Sequence, residues 1–191
     1  MGMHSTKFGG LERFLISLAD SLDRYNIGLI VIYNSIPLSN EFVQKLEKHN
    51  VELVISDALK PFSIFTAIAG LIFKYKIIVI HSHFQPVYSL ISSWILGCRN
   101  RWVTLHMMLT SENFEESTNT KGLRLSTKIH RNMIRLFTTK FLAVSKQVSD
   151  QYSKIYPSSS EKFEIYYLGV EENLFNRNEV RLKLNFEAEM I

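Results

Sequence analysis

The stretch FSIFTAIAGLIFKYKIIVIHSHF, residues 62–84, decides between a membrane protein and a buried α/β core. Lys74 and Lys76 divide its apolar residues into a run of about a dozen and a short β-branched run, and neither reaches the ~20 residues that span a bilayer. The segment reads as a buried helix over 61–73 followed by a core strand, IIVI (77–80), whose exit carries His81, Ser82 and His83.

The same pattern extends in both directions. Upstream, GLIVIY (28–33) and VELVIS (51–56) are apolar strands, with a helical stretch over 40–49 between them. Downstream, 86–97 reads as a helix, WVTLH (102–106) as a strand, 110–120 as a polar loop, 122–138 as a helix and FLAVS (141–145) as a strand. Residues 146–155 then read as a helix, 157–161 as a loop, and FEIYYLG (163–169) as a last strand and its exit. Helices alternate with continuous apolar strands, the signature of a parallel sheet covered on both faces. The expected fold is therefore α/β and Rossmann-like.

Near the N-terminus, KFGGLERFLISLADSL (7–22) places a glycine pair before a helix. Leu11, Phe14, Leu15, Leu18, Ala19 and Leu22 make one apolar face at helical period, with Ile16 off the stripe. Gly9 and Gly10 let a ligand approach the main chain, and the helix N-terminus then offers free N–H groups to an anion. The plainer alternative is a glycine turn before a helix; the dipeptide is weaker than GxGxxG, and neither that fingerprint nor a Walker lysine motif is present.

Composition excludes several classes. The 191 residues are 46% hydrophobic and 21% charged, which suits one globular domain. The net charge of +4 favours an anionic ligand or surface without requiring nucleic acid, and no nucleic-acid-binding signature is present. Cys98 is the single cysteine, so no intrachain disulfide forms, and no Cys/His cluster has zinc spacing. A cytoplasmic location is expected.

In parallel sheets of this kind, ligands bind beyond the carboxyl ends of the strands. The exits are polar here: His81, Ser82 and His83, then His106, then Ser145 and Lys146, then Gly169. Singly, each has a bland explanation, such as a structural histidine or a helix cap. On one rim they favour a cleft, with His83, Phe84, Ser145 and Lys146 as candidate acceptor-side residues.

Several motifs occur in a fixed order: GG-x-E-x-x-x-x-x-L-A (Gly9–Ala19), the H-x-H of His81 and His83, V-T-x-H (Val103–His106), A-V-S (Ala143–Ser145) and L-G-V-E-x-x-x-F (Leu168–Phe175). The set resembles the N-terminal half of family 4 glycosyltransferases, retaining GT-B enzymes that include bacterial lipopolysaccharide and capsule mannosyl- and glucosyltransferases. The resemblance covers nearly the whole chain.

It implies two Rossmann-like domains facing a cleft, an acceptor-side domain first and a nucleotide-sugar domain second, working without a metal or other cofactor. By position, Gly9 and Gly10 look like the loop that meets the donor diphosphate. His106 looks like the catalytic-site histidine that contacts the transferred sugar, and Gly169, Val170 and Glu171 look like the crossover into the second domain. Residues 1–175 are expected to form the first domain and 176–191 the crossover and the start of a donor-binding domain. The implied partners are a nucleotide-sugar donor and a glycan or lipid-linked acceptor in cell-surface polysaccharide synthesis.

Departures from the pattern are Glu171 in place of the usual Asp, and an N-terminal segment, MGMHST, that does not read as the first, central strand. That strand is expected to be missing, and the chain alone to be inactive. Two alternatives stay open: a non-catalytic truncated remnant or separately encoded acceptor-binding half, and an unrelated dinucleotide-binding domain. The second predicts an acidic residue at the end of GLIVIY, where Asn34 stands.

Between Ser117 and Ser149 there are seven Lys or Arg and no Asp or Glu. Lys121, Arg124, Lys128, Arg131 and Arg135 form one helical stripe, with Leu125, Ile129, Met133 and Leu136 roughly opposite. A solvated basic face and a peripheral contact with anionic lipid at the inner membrane face explain the stripe equally well.

Overall fold

The computed structural model describes residues 9–35, 37, 39–57, 60–83, 86–108 and 125–167. Helix α1 (Gly10–Asp23) leads into β1 (Ile30–Tyr33), followed by α2 (Asn40–Lys48), β2 (Glu52–Ile55), α3 (Pro61–Lys74) and β3 (Val79–Ser82). Next come α4 (Val87–Ile95), β4 (Asn100–Leu105), α5 (Leu125–Phe137), β5 (Lys140–Ala143) and α6 (Lys146–Ile155). A 3₁₀ turn, Pro157–Lys162, leads into β6 (Phe163–Ile165).

Every strand pairing among the described residues is parallel. The strands fall into two sheets, β1–β2 and β3–β4–β5–β6. Within each sheet, neighbouring strands follow chain order. Residues 1–8, where a first strand was not expected, lie outside the described residues.

Two apolar clusters hold the layers together. Leu15 and Ala19 of α1, Val31 of β1, Phe42 and Leu46 of α2 and Val51 form the first, with Leu11, Phe14 and Ile16 packed against it. Ile16, off the predicted stripe, is therefore partly covered as well. Leu90, Val103, Phe141 and Tyr156 form the second. Phe141 is fully buried and stacks between Tyr156 and Phe163 at centroid distances of 5.4 and 4.8 Å.

Helix boundaries follow local chemistry. Ser39 Oγ accepts from Phe42 N (3.3 Å) at the start of α2, and Pro61 opens α3, where its missing N–H costs nothing. Beyond α1, α2 and α4, the left-handed residues Asn26, Asn50 and Gly97 turn the chain out of the helix. At the start of β4, Arg101 spans three elements: Nε donates to Phe137 O (2.7 Å), Nη1 donates to Cys98 O, and its backbone N donates to Thr139 Oγ1 (2.9 Å).

Two expectations change. Residues 157–161, expected as a loop, form the 3₁₀ turn, opened by Pro157 with Ser159 buried and its N–H donating to Tyr156 O. On α5, Leu125 (72% exposed), Ile129 (49%) and Leu136 (66%) face solvent, while Lys128, Arg131 and Arg135 are half-buried. The cause is the neighbour: Arg135 Nη1 donates to Ser158 Oγ (2.5 Å), and Lys162 Nζ donates to Arg135 O (3.0 Å) and Thr138 O (2.9 Å), so the Arg135 end of the basic stripe lies on the 3₁₀ turn. Arg124 of the same stripe lies outside the described residues. No described helix is long and apolar enough to cross a membrane.

Candidate functional site

Residues 79–82 pair with 100–103, and Leu105 pairs with Ala143, so β3, β4 and β5 end side by side. Side chains alternate along a strand, which sends His81 and His83 to the same side of β3. His83 leaves β3 and His106 leaves β4 at neighbouring positions. His83 Nδ1 and His106 Nε2 stand 2.8 Å apart, with ring centroids at 5.0 Å. One nitrogen of the pair donates and the other accepts. His81 sits behind them, its ring 4.4 Å from that of His83 and its Nε2 2.5 Å from Thr104 Oγ1. Phe14 of α1 meets His83 edge-on at 5.6 Å, which places the helix that begins at Gly10 over the exit of β3.

This histidine cluster is neutral at ordinary pH. Burial, with lesser contributions from His81 and His106, pushes His83 down to about 3. Burial and His106 push His81 down to about 4, and burial lowers His106. Among the described residues no group of three metal-ligating side chains could hold a metal ion; His83 bonds to His106, and His81 to Thr104.

The glycine loop has a specific occupant. Gly9 is the N-cap of α1, and a Cβ added there would lie 2.5 Å from Glu12 Oε2; Gly10 is exposed with nothing close. The Glu12 carboxylate thus folds back onto the helix start, where its charge complements the N-terminal dipole. Tyr33 Oη, at the end of β1, donates to Glu12 Oε1 (3.0 Å), and Oε2 is buried without a hydrogen-bond partner. Burial first, then the Glu12 charge and hydrogen bond, raise the Tyr33 phenol well above its ordinary value.

At the next exit, Val144 N donates to Leu105 O (3.3 Å), so Ser145 leaves β5 beside His106. Ser145 Oγ accepts from Val148 N (3.2 Å) and caps α6, and Lys146 is the exposed first residue of that helix. His83, His106 and Ser145 therefore share one edge, with α1 above it. Phe84 and the crossover residues Gly169, Val170 and Glu171 lie outside the described residues, as does 176–191. Sequence reasoning did not anticipate the contacts made by Phe14, Tyr33, Glu12 and Thr104. Thr104 carried a signal, since it stands two residues before His106 in V-T-x-H; Tyr33 and Glu12 are 21 residues apart and carried none.

Comparison with known proteins identifies the scaffold. The family model for glycosyltransferase family 4 matches residues 8–174. Similar solved structures include Alr3699/HepE of Anabaena in complex with UDP-glucose (TM-score 0.61, 20% identity) and a glycosyltransferase from Rickettsia africae ESF-5 (TM-score 0.63, 18% identity). Each is matched over 95% of this chain and 48% of its own, so the chain spans about half the length of these structures. No curated protein matches the sequence. The match over residues 8–174, on an α/β scaffold of parallel strands shared with these GT-B structures, places the chain in glycosyltransferase family 4.

Proposed function

We propose that the chain forms the acceptor-side half of a retaining glycosyltransferase that moves a sugar from a nucleotide-sugar donor to a glycan or lipid-linked acceptor in cell-surface polysaccharide synthesis. The observation that carries this is His106 just beyond the carboxyl end of β4, bonded to His83, whose ring meets Phe14 of α1, on the edge where such sheets bind ligands. HepE, similar in fold, is described in complex with UDP and with UDP-glucose, which makes UDP-sugars the first donors to test.

In this proposal the backbone N–H groups at Gly9 and Gly10 meet the donor diphosphate and stabilise the charge that develops as it leaves. His106 contacts the transferred sugar, and His83, Ser145 and Lys146 line the acceptor side. Gly169, Val170 and Glu171 lead into a donor-binding domain. No metal or cofactor enters the scheme. On α5, exposed Leu125, Ile129 and Leu136 flanked by Lys128 and Arg131 support peripheral contact with an anionic membrane face.

Positioning donor and acceptor together can account for ~7–11 kcal/mol of a barrier, so the chain alone is expected to bind nucleotide-sugars weakly and not to turn over. The test joins the chain to a family 4 donor-binding domain and follows transfer from radiolabelled UDP-glucose and other nucleotide-sugars to lipid-linked and glycan acceptors. Transfer that disappears in His106→Ala, with the circular dichroism spectrum unchanged, is expected. Undiminished transfer in His106→Ala removes that residue from the site. No transfer from any donor overturns the assignment.

A further inference from the structure

We propose that His83 is the positioning residue of His106: the hydrogen bond between His83 Nδ1 and His106 Nε2 fixes the ring orientation of His106 and ties its tautomer to that of His83. This inference rests on the proposed role of His106 in sugar transfer, but its geometry stands independently of that role.

The argument starts from the register. Ser82 pairs with Val103, so the residues that follow them leave adjacent parallel strands together. With the two ring nitrogens 2.8 Å apart and the ring planes tilted by 32°, the contact has hydrogen-bond distance between two side chains of restricted freedom. A carboxylate beside His106 would draw it toward the cation. An imidazole partner does not, and the burial and neighbouring imidazoles that hold His83 far below its ordinary value keep the bond between neutral rings.

A neutral imidazole carries one N–H and one lone pair. If His83 donates from Nδ1, then His106 accepts at Nε2 and carries its own proton on Nδ1. If His106 donates from Nε2, its Nδ1 is a lone pair. The bond between the rings therefore couples the two tautomers: both rings carry the proton on Nδ1, or both on Nε2, and the character of Nδ1 of His106 toward a sugar hydroxyl follows that of His83. The His83 ring is itself held on two sides, by Phe14 edge-on at 5.6 Å and by His81 at 4.4 Å, and His81 is anchored 2.5 Å from the buried Thr104 hydroxyl. Orientation thus passes from the β4 interior through His81 and His83 to His106. His83 does this work from the strand edge and need not touch acceptor.

The experiment uses the 191-residue chain with ¹⁵N-labelled histidine. A through-hydrogen-bond ¹⁵N–¹⁵N coupling between His83 Nδ1 and His106 Nε2, together with the same tautomer on both rings in long-range ¹H–¹⁵N spectra, is expected in the wild type. Absence of the coupling overturns the proposal without any variant. His83→Phe keeps a ring against Phe14 and His81 but removes the bond, and His106 should then show an average of both tautomers. His83→Asn, whose amide lies close to the place of Nδ1, should restore one. A His106 tautomer unchanged in His83→Phe also overturns the proposal.

In the fused enzyme, His83→Phe should lower kcat on the order of 10- to 100-fold with the donor KM unchanged, and His83→Asn should recover most of it. If the coupling and the tautomer shift appear but no donor supports transfer, the positioning pair stands and the assignment of sugar transfer falls. If transfer appears and His83→Phe leaves kcat unchanged, the positioning role falls while the transferase assignment survives.

Discussion

At Gly9 the side chain is absent because the Glu12 carboxylate occupies that space; the backbone angle there, φ −83°, is open to any residue. Gly9→Ala is therefore expected to displace Glu12 and break its bond from Tyr33, at a cost of about 1–2 kcal/mol. In a Glu12→Ala background the same substitution should cost almost nothing, and urea denaturation of the four chains measures the difference as a coupling energy. The histidines make a second prediction at this scale. An unfolded imidazole titrates near 6.5, whereas His83 and His81 are pushed down to about 3 and about 4 in the fold. Between those values the unfolded chain takes up protons that the folded chain refuses. Stability is thus full above about pH 6.5 and falls as pH drops toward 4, with a slope of up to ~1.4 kcal/mol per pH unit for each group. The urea midpoint at pH 7 and pH 5 checks this, and His83→Asn should flatten the fall. The sequence already showed the imidazoles at neighbouring strand exits. It could not show that His83 turns toward His106, because that depends on a register fixed by contacts 23 residues apart.

Among the elements, strand and helix types were legible wherever periodicity was strong: β1 formed within the run read at 28–33 and α1 buried the apolar face read for it, whereas the strand read at 77–80 formed two residues later, at Val79–Ser82, so His81 and Ser82 belong to the strand and not to its exit. What periodicity could not tell was which side of α5 meets the protein. Its i+3, i+4 spacing locates two stripes, and the 3₁₀ turn, unread in PSSSEK, then draws Arg135 inward through Ser158. At the start of α6, Ser145 Oγ takes up the N–H of Val148. Ser145→Ala should therefore cost about 1 kcal/mol and Ser145→Asp much less, read by thermal unfolding, with faster amide exchange at Val148 in the alanine chain. A Ser145→Asp variant as unstable as Ser145→Ala would mean that the hydroxyl does more than cap.

Across the whole molecule, the parallel α/β order followed from the alternation of apolar strands and helices, whereas the division into two sheets and two apolar clusters did not. Each helix stripe reports that it is buried and leaves open against which neighbours. The division predicts unequal protection: amides of the two-stranded β1–β2 ribbon should exchange with solvent before those of β4 and β5, which are paired on both edges. Equal protection would show that the clusters open as one unit. Within the second cluster, Phe141→Ala removes a fully buried ring stacked on two others and should cost about 3–5 kcal/mol in urea denaturation. The clamp at Arg101 bears on how this molecule assembles in time. It joins β4 to Thr139 and to the last turn of α5 across separations of 38 and 36 residues, against 22 for the bond from Asn100 to Ile78 on the other side of β4. Long-range parallel pairings form slowly, because chain entropy is lost before their contacts are gained. Arg101 can close only after α5 has docked and β5 has found its register, so its bonds belong to the native side of the folding barrier. Arg101→Met should leave the folding arm of a chevron plot nearly unmoved and raise the unfolding arm, which makes this guanidinium a determinant of how long the folded chain lasts rather than of how quickly it is reached.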